Sequence, residues 1–282
     1  MLVPEVISPD ALVMVRILSG ALFFSVMAMV YAKDQIKMVS RRDLFLLVAC
    51  GIFGVATNQY FFYHGMKLTN PINGSIFNLI NPITIIIASY FILDEKINFL
   101  TVVGFVFSAT GALLLLDFHN FSVSGSTFWG DLMIMINAIS FGIYVVIVAP
   151  LARKYNAFLI SSGSFITGLI IYLPIGMDDL LETDFSKFQN SHWAAFWYII
   201  LFTTLFVYFL NNFIPKLTSP RIIGFYVYFQ PFVASIVAIV LGKDELTLRK
   251  IWCGLFIIAG IYLAQMSRTK DLEQKAIKGK LQ

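Results

Sequence analysis

Hydrophobic residues in this chain form nine long stretches, and polar residues are confined to the short segments between them. A helix needs about 20 apolar residues to cross the hydrocarbon core of a bilayer. The stretches, labelled A to I in chain order, are Leu12–Ala32, Leu44–Gly65, Ile72–Leu93, Phe99–Leu116, Leu132–Leu151, Phe158–Met177, Trp193–Ile214, Ile222–Leu241 and Ile251–Ser267. They are continuously apolar rather than alternating, which disfavours membrane-spanning strands. The pattern therefore predicts an all-α polytopic membrane protein.

The overall composition agrees with a chain embedded in a membrane. Hydrophobic residues make up 59% of the sequence and charged residues 13%, whereas soluble domains are about half apolar and about a quarter charged. A soluble protein of 282 residues cannot hide so much apolar surface from water, so the soluble classes are excluded. The net charge of +4 lies in the loops, which fits anionic lipid and argues against a nucleic-acid partner.

Lysine and arginine fall unevenly on the two sides of the predicted bundle. Fourteen of the 20 lie in loops A–B, C–D, E–F and G–H or in the C-terminal tail, and five lie in the other loops. Cytoplasmic loops carry the excess of positive residues. The distribution predicts a protein of the plasma membrane, of the bacterial inner-membrane kind, with its C-terminus in the cytoplasm and its first residues outside.

An internal repeat with an offset of 149 residues is the second pattern. Leu68–Pro71 (LTNP) matches Leu217–Pro220 (LTSP), and the mid-membrane pair Asn81-Pro82 matches Gln230-Pro231. The offset spans five predicted helices, an odd number, so equivalent helices must cross the bilayer in opposite directions. Many secondary transporters are inverted repeats of this kind, with the substrate site near the midplane between the halves.

The repeat divides the chain into a first unit over residues 1–120, a second unit over 121–267 and a basic tail over 268–282. The second unit has five spans, E to I, whereas the first has only four, A to D. We expect a further helix to precede span A and to complete the first unit. A protein that works with nine spans is the alternative.

Polar side chains inside the spans are the candidates for a substrate cavity, because such groups face the interior of a bundle rather than lipid. Amides and phenols donate and accept hydrogen bonds without a net charge, which suits a polar, zwitterionic or ring-bearing substrate. The predicted cavity residues are Asn58, Gln59, Asn78, Asn81, Asn137, Tyr144, Tyr208, Tyr228, Gln230 and Arg16. For any single one of them, hydrogen bonding between helices is the competing role.

Three further residue types inside the spans have two interpretations each. Pro82 and Pro231 are predicted hinges, because proline frees a carbonyl and bends a helix; kinking for packing alone is the alternative. Arg16, the only charge inside a predicted span, either snorkels to lipid headgroups or binds an anionic group. Cys50 and Cys253 lie alone in apolar runs, so we expect packing residues rather than a disulfide or a metal site.

Short motifs in both halves carry a family resemblance. They are Gly54–Gln59, Gly65–Pro71, Asn81-Pro82 and Asp94-Glu95, then Leu217–Pro220, Gln230-Pro231 and the glycine-rich last span. Together they resemble the EamA-like branch of the drug/metabolite transporter superfamily. The resemblance implies ten helices in two inverted five-helix repeats, with both termini in the cytoplasm. It also implies transport, often export, of small metabolites such as amino acids or nucleosides.

The sequence contains no nucleotide-binding, metalloprotease or nucleophile motif, so we predict no enzyme activity, no cofactor and no metal. The predicted function is a secondary transporter, acting as an exporter by alternating access between two inverted halves. An integral membrane enzyme and a non-transporting membrane scaffold are the alternatives. The expected partners are the small-molecule substrate and the lipid bilayer, and a homodimer is left open.

Overall fold

The computed structural model describes residues 6–116, 125, 127–241, 245 and 247–280, except for the side chains of Ala238 and of residues 267–280. The helices are α1 (Pro9–Tyr31), α2 (Lys33–Ile36), α3 (Arg41–Cys50), α4 (Asn58–Leu68), α5 (Pro71–Asn78), α6 (Ile80–Leu93), α7 (Phe99–Leu115), α8 (Phe128–Lys154), α9 (Ala157–Glu182), α10 (Asn190–Tyr198), α11 (Val207–Phe213), α12 (Pro220–Val227), α13 (Gln230–Val240) and α14 (Leu248–Lys280). Two π-helical segments, π1 (Gly51–Thr57) and π2 (Ile199–Phe206), join α3 to α4 and α10 to α11. Short 3-10 turns occupy Phe185–Lys187 and Ile214–Lys216.

Each of the nine predicted spans is helical, and the described residues contain no strand, which confirms the all-α polytopic class. Seven helical stretches in the described part of the chain are long and apolar enough to cross a membrane. Span D is the shorter apolar helix α7, and span H is divided into α12 and α13 at residues 228–229. The chain is an integral, multi-pass membrane protein.

Short polar residues cap the starts of several helices. The hydroxyl of Ser8 caps α1, and the side chain of Asn98 caps α7. Asn70 caps α5 by accepting the N–H of Asn73 at 2.8 Å, and Pro71 takes the first helical position, where an N–H has no partner anyway. The LTNP motif is therefore a helix start, placed where the chain turns back after α4.

Two antiparallel pairs, α1 with α9 and α7 with α14, make the most extensive helix contacts. Between α7 and α14, a Cβ atom on Gly104 would lie 2.7 Å from the carbonyl oxygen of Gly260. A Cβ atom on Gly111 would lie 2.7 Å from the carbonyl oxygen of Cys253. Because neither glycine has a Cβ, the two backbones approach closely, which is how small residues favour helix association in lipid.

The α1–α9 pair combines small, aromatic and polar contacts. Gly20 lies against the ring of Phe165, and the hydroxyls of Ser25 and Ser162 are 3.1 Å apart. The hydroxyl of Tyr172, toward the end of α9, donates to the carboxylate of Asp10, at the start of α1. These contacts fix the antiparallel direction of the pair.

Helix α8 lies in the middle of the bundle, packed against α6 and against span B. Gly142 lets α8 approach α6, since a Cβ atom there would lie 2.7 Å from the Cβ atom of Thr84. The ring of Tyr144 fills the space over Gly54 of π1, where an added Cβ atom would lie 2.3 Å from it. Both cysteines are free and buried in apolar surroundings, which confirms their predicted packing role.

Replacement of Gly104 by alanine tests the close contact between α7 and α14. In a helix interior, alanine is normally more stable than glycine by roughly 0.5–1 kcal/mol. Here the new methyl group meets a backbone oxygen, so we expect Gly104→Ala to lose roughly 1–3 kcal/mol instead. The measurement is the unfolding temperature of the purified protein in detergent. Gly125→Ala is the control, because no atom of the described residues lies within 4 Å of its added Cβ. A Gly104→Ala protein at least as stable as the unaltered one would contradict the contact.

Candidate functional site

The structure divides the ten predicted cavity residues into two groups. The first group surrounds the π-helical segments in the buried centre of the bundle and consists of Arg16, Asn58, Gln59, Asn137, Tyr144 and Tyr208. The second group lies at the breaks between α5 and α6 and between α12 and α13 and consists of Asn78, Asn81, Tyr228 and Gln230. The predicted hinges, Pro82 and Pro231, follow directly after these two breaks.

Side chains from other spans bind the backbone carbonyls in and next to π1. The hydroxyl of Ser140 donates to the carbonyl of Phe53 at 2.6 Å, and the hydroxyl of Tyr208 donates to that of Gly54 at 2.8 Å. The amide of Asn137 donates to the carbonyl of Asn58 at 2.7 Å. A π-helical turn departs from the α-helical hydrogen-bond ladder, and these donors satisfy carbonyls in the low-dielectric interior. Asn137 and Tyr208 therefore fill the competing role, hydrogen bonding between helices.

A second buried network links α8, α9 and α11. The hydroxyl of Tyr144 donates to the Asn212 side chain at 2.9 Å, and the Asn212 amide donates to the hydroxyl of Ser161 at 2.7 Å. Sequence reasoning chose Tyr144 but missed Asn212, because two adjacent asparagines at 211 and 212 give no sign of which one faces inward.

Arg16 on α1 points into the bundle. It is 7% exposed, its Nε donates to the hydroxyl of Thr204 in π2 at 2.8 Å, and a terminal nitrogen donates to the hydroxyl of Tyr63 at 2.5 Å. The other terminal nitrogen lies 3.4 Å from the carbonyl oxygen of Thr203. The snorkelling expectation is therefore wrong, because π2 and α4 cover the face that carries this residue. None of the ion pairs in the described part of the chain includes Arg16.

Gln59, two residues after π1, is the other unusual group in this region. It is 2% exposed, and neither its amide nitrogen nor its amide oxygen has a hydrogen-bond partner. The amide lies beside the hydroxyl of Tyr208 without forming a hydrogen bond of acceptable geometry. An unpartnered buried amide is costly, and in native proteins such a group needs an explanation.

An open cleft of about 410 Å³ lies between α5, α7, α12, α13 and α14, at the end where α7 finishes and α14 begins. Three predicted residues, Asn78, Gln230 and Pro231, line it together with Leu115, Lys250 and other side chains. The hydroxyl of Tyr228 lies behind this surface, donating to the carbonyl of Leu79 at the α5–α6 break. Asn81 and Pro82 are buried and do not line the cleft, and the backbone oxygen of Asn81 faces Gly142 of α8.

A second, closed crevice lies at the opposite end of α7 and α14. It is lined by Thr101, Ser219, Arg221, Ile222, Phe225 and Ala264, and it has no room for a water molecule. Arg221 closes it: its Nε lies 2.6 Å from the carboxylate of Glu95, and a terminal nitrogen donates to the carbonyl of Lys96 at 2.7 Å. The pair of the buried Arg221 and the partly buried Glu95 joins the start of α12 to the α6–α7 loop.

Carboxylates connect the helices near the start of α1 and of α8. A carboxylate oxygen of the partly buried Asp10 lies 3.2 Å from Nε2 of His64, and Asp10 also accepts the hydroxyl of Tyr172. Asp131, in the first turn of α8, is 3% exposed and accepts a hydrogen bond from the hydroxyl of Thr69 at 2.5 Å. Sequence reasoning missed both, since their partners come from other spans. No group of three potential ligands that could hold a metal ion occurs in the described residues.

The sequence profile described as the EamA-like transporter family matches residues 2–117 and 128–266 of this chain. An Archaeoglobus fulgidus protein named "Uncharacterized transporter" is 25% identical over 82% of this chain and 81% of its own length. A Clostridium kluyveri protein of the same name is 23% identical over 95% of this chain and 87% of its own. The Bacillus subtilis "Uncharacterized transporter YetK" is 24% identical over 61% of this chain, and that match spans 53%, about half, of its own length.

Among solved structures, one titled "Crystal structure of protein" superposes with a TM-score of 0.74. It covers 94% of this chain and 90% of its own, at 16% sequence identity. The similarity shows that the two chains share a fold.

Loss of a π1 hydrogen bond gives a direct test of this region. Tyr208→Phe leaves the carbonyl of Gly54 without its donor in the buried interior, and we expect a loss of roughly 1–3 kcal/mol in stability. Tyr198→Phe on the same span is the control, because Tyr198 is 60% exposed and its hydroxyl has no hydrogen bond to any of the described residues. Thermal unfolding in detergent measures both. Equal unfolding temperatures for the two variants would contradict the role of Tyr208.

Proposed function

This chain belongs to the EamA-like transporter family, and on that premise we propose that it is a secondary transporter that exports small metabolites such as amino acids or nucleosides by alternating access. The names of its relatives support a transporter role. The positive residues on one side of the bundle support a plasma-membrane location with the C-terminus in the cytoplasm.

Contacts between repeat-equivalent residues support an inverted repeat over residues 1–120 and 121–267. Tyr228 donates to the carbonyl of Leu79, 149 residues earlier, and Ser108 lies 3.5 Å from the carbonyl oxygen of Ile257, again 149 residues away. A residue can touch its own equivalent only near the axis that relates the two halves. Both contacts lie between helices that cross in opposite directions, as an axis in the membrane plane requires.

The helix bounds repeat at the same offset. Helix α5 begins at Pro71 and α12 at Pro220, and α7 begins at Phe99 and α14 at Leu248. The π-helical segments also correspond, since residues 51–57 map onto 200–206 within π2. Such irregular turns are rare, so their recurrence at equivalent positions is strong support for two related halves.

The difference between the two crevices carries the alternating-access proposal. Thr101 and Ala264 of the closed crevice are the repeat equivalents of Lys250 and Leu115 of the open cleft. The open cleft has a volume of about 410 Å³, whereas the closed crevice that corresponds to it in the other half has no room for water. A transporter with a single site must open its two related crevices in turn. We therefore take the Arg221–Glu95 pair as the closure on the cytoplasmic side.

A membrane enzyme or a non-transporting scaffold would use the same fold differently. An enzyme requires reactive groups that converge on one membrane face. A scaffold does not require a polar cleft between the halves, whereas Asn78 and Gln230 from opposite halves face one cleft here. That shared polar lining favours transport.

Flux through purified protein in liposomes tests transport directly. We expect counterflow of at least one radiolabelled amino acid or nucleoside, and a reduction of about tenfold in Gln230→Leu, because a polar group lining the cleft through which the substrate passes is replaced by an apolar one. Val233→Leu on the same helix is the control, since Val233 does not line the cleft. Absence of counterflow for the whole panel, with the protein correctly inserted, would favour the scaffold. Equal flux in the two variants would remove Gln230 from the site.

Cysteine labelling tests the two crevices in a protein without Cys50 and Cys253. We expect Ala234→Cys, which replaces an exposed residue of the open cleft, to react with a membrane-impermeant maleimide from outside, and Ser219→Cys in the closed crevice to resist it from inside. Glu95→Gln weakens the Arg221 closure, so it should raise labelling at position 219 and lower it at position 234. Asp184→Asn, which removes an exposed ion pair, is the control. Labelling that rises at both positions, or at neither, would contradict alternating access.

A further inference from the structure

The buried guanidinium of Arg16 is a charge without a counterion. A cation in the hydrocarbon region is costly, and such residues usually pair with an acid or face a cavity. Arg16 does neither in the described structure: its hydrogen bonds go to two hydroxyls and one carbonyl, and its guanidinium carbon lies 5.4 Å from the centre of the Tyr63 ring, so none of these groups carries a negative charge. A charge held in this way lacks one negative partner.

Side chains near Arg16 also have hydrogen-bonding groups without a partner. Gln59 is 2% exposed, and both of its polar atoms are without hydrogen bonds. It lies beside Tyr208, which follows four residues after Thr204, the residue that accepts the Nε–H of Arg16. Tyr63 accepts a hydrogen bond from Arg16, and its own hydroxyl hydrogen remains free to donate. The unmet groups therefore belong to one neighbourhood.

This neighbourhood lies where the two halves of the proposed repeat meet. Gln59 and Tyr208 are 149 residues apart and lie side by side, as do the equivalent pairs at the axis. Arg16 and Tyr63 come from the first half, whereas Thr204 and Tyr208 come from the second. The repeat equivalent of Arg16 is Phe165, which packs against the Tyr208 ring at 4.8 Å. The axis is therefore charged on one side and apolar on the other.

We propose that Arg16 and Gln59 bind the carboxylate of the transported substrate, an amino acid or another small organic acid. The proposal rests on the transport function proposed above and narrows its substrate class. The single positive charge of Arg16 balances the single negative charge of a carboxylate. A phosphate dianion would leave one charge without compensation, and a nucleoside would leave the cation unpaired.

The available donors match a carboxylate in number and kind. A guanidinium has five N–H groups, and three are directed at Thr204, Tyr63 and Thr203. Two guanidinium N–H groups remain, and the Gln59 amide and the Tyr63 hydroxyl are further donors. The two oxygens of a carboxylate together accept about four hydrogen bonds, so they can use these donors. Charge-assisted hydrogen bonds of this type are the strong ones, so the substrate would offset the cost of burying Arg16.

Acetate and acetamide form a matched pair of probes, because they have the same shape and differ in charge. The protein is placed in nanodiscs of phosphatidylcholine, which has no lipid carboxylate, and its unfolding temperature is followed during titration. We expect a saturable rise with acetate and a dissociation constant about tenfold or more higher for acetamide. Equal responses to the two probes would overturn the proposal. So would a stronger response to phosphate, or a response to oleate alone, which would indicate a lipid ligand.

Variants locate the response. Arg16→Gln should abolish the acetate shift, Arg16→Lys should keep part of it, and Gln59→Leu should weaken binding about tenfold. Arg249→Gln is the control, because Arg249 is exposed and, among the described residues, donates to the carbonyl of Leu114 alone. If Arg16→Gln does not fold, the acetate response of Arg16→Lys and Gln59→Leu is compared with that of the unaltered protein. An unchanged acetate response in both of these variants would contradict carboxylate binding at Arg16 and Gln59.

The outcome also separates this site from the transport function. Acetate binding that depends on Arg16, in a protein without flux for any amino acid or nucleoside, would support the site and contradict transport. Flux of a neutral nucleoside that Arg16→Gln leaves unchanged would support transport and overturn the carboxylate site.

Discussion

In the hydrocarbon core of a bilayer, backbone N–H and C=O groups must find partners inside the protein, and the arrangement of this bundle follows from that requirement. Straight α-helices meet it alone, but this chain departs from them at π1, at π2 and at the breaks before Pro82 and Pro231. At three of these four places a side chain from the opposite half donates to the local backbone: Tyr208 at π1, Arg16 at π2 and Tyr228 at the α5–α6 break. The irregular turns are therefore joined across the halves.

This arrangement explains why the halves contact each other in two different ways. At α7 and α14, glycines bring backbone against backbone, and the contact is close. At π1 and π2, the contact consists of a few directional hydrogen bonds around polar groups. Close packing of small residues resists change, because any movement loses many atomic contacts at once. Hydrogen bonds to a carbonyl can exchange for bonds to a ligand, so the π-helical region is where a substrate can intervene.

The features that could be predicted from the sequence are those set by the lipid environment and by the internal repeat. The nine spans follow from apolar length, and LTNP, LTSP and the two amide–proline pairs place the equivalent helices. Sequence reasoning also chose the polar residues that converge in the interior, but not their partners. Asn137 and Tyr208 bind backbone carbonyls that the π-helical turn π1 leaves accessible. The sequence does not reveal such a turn, because the span that contains it is continuously apolar. The inward direction of Arg16 depends on Thr204, 188 residues away, which no local pattern reveals.

The π-helical turns have one more consequence, for the register of the helices that follow them. A π-bulge amounts to one extra residue in an α-helix, and one residue of an α-helix turns through about 100°. Gln59 and Tyr208 each come two residues after such a turn, so the extra residue decides which way each side chain faces. Deleting a single residue from Gly51–Thr57 would restore an ordinary helix and swing Gln59 about a quarter-turn off the axis without changing its chemistry. The direction of these two side chains therefore depends on the extra residue in each π-helical turn, and not only on which residues occupy positions 59 and 208.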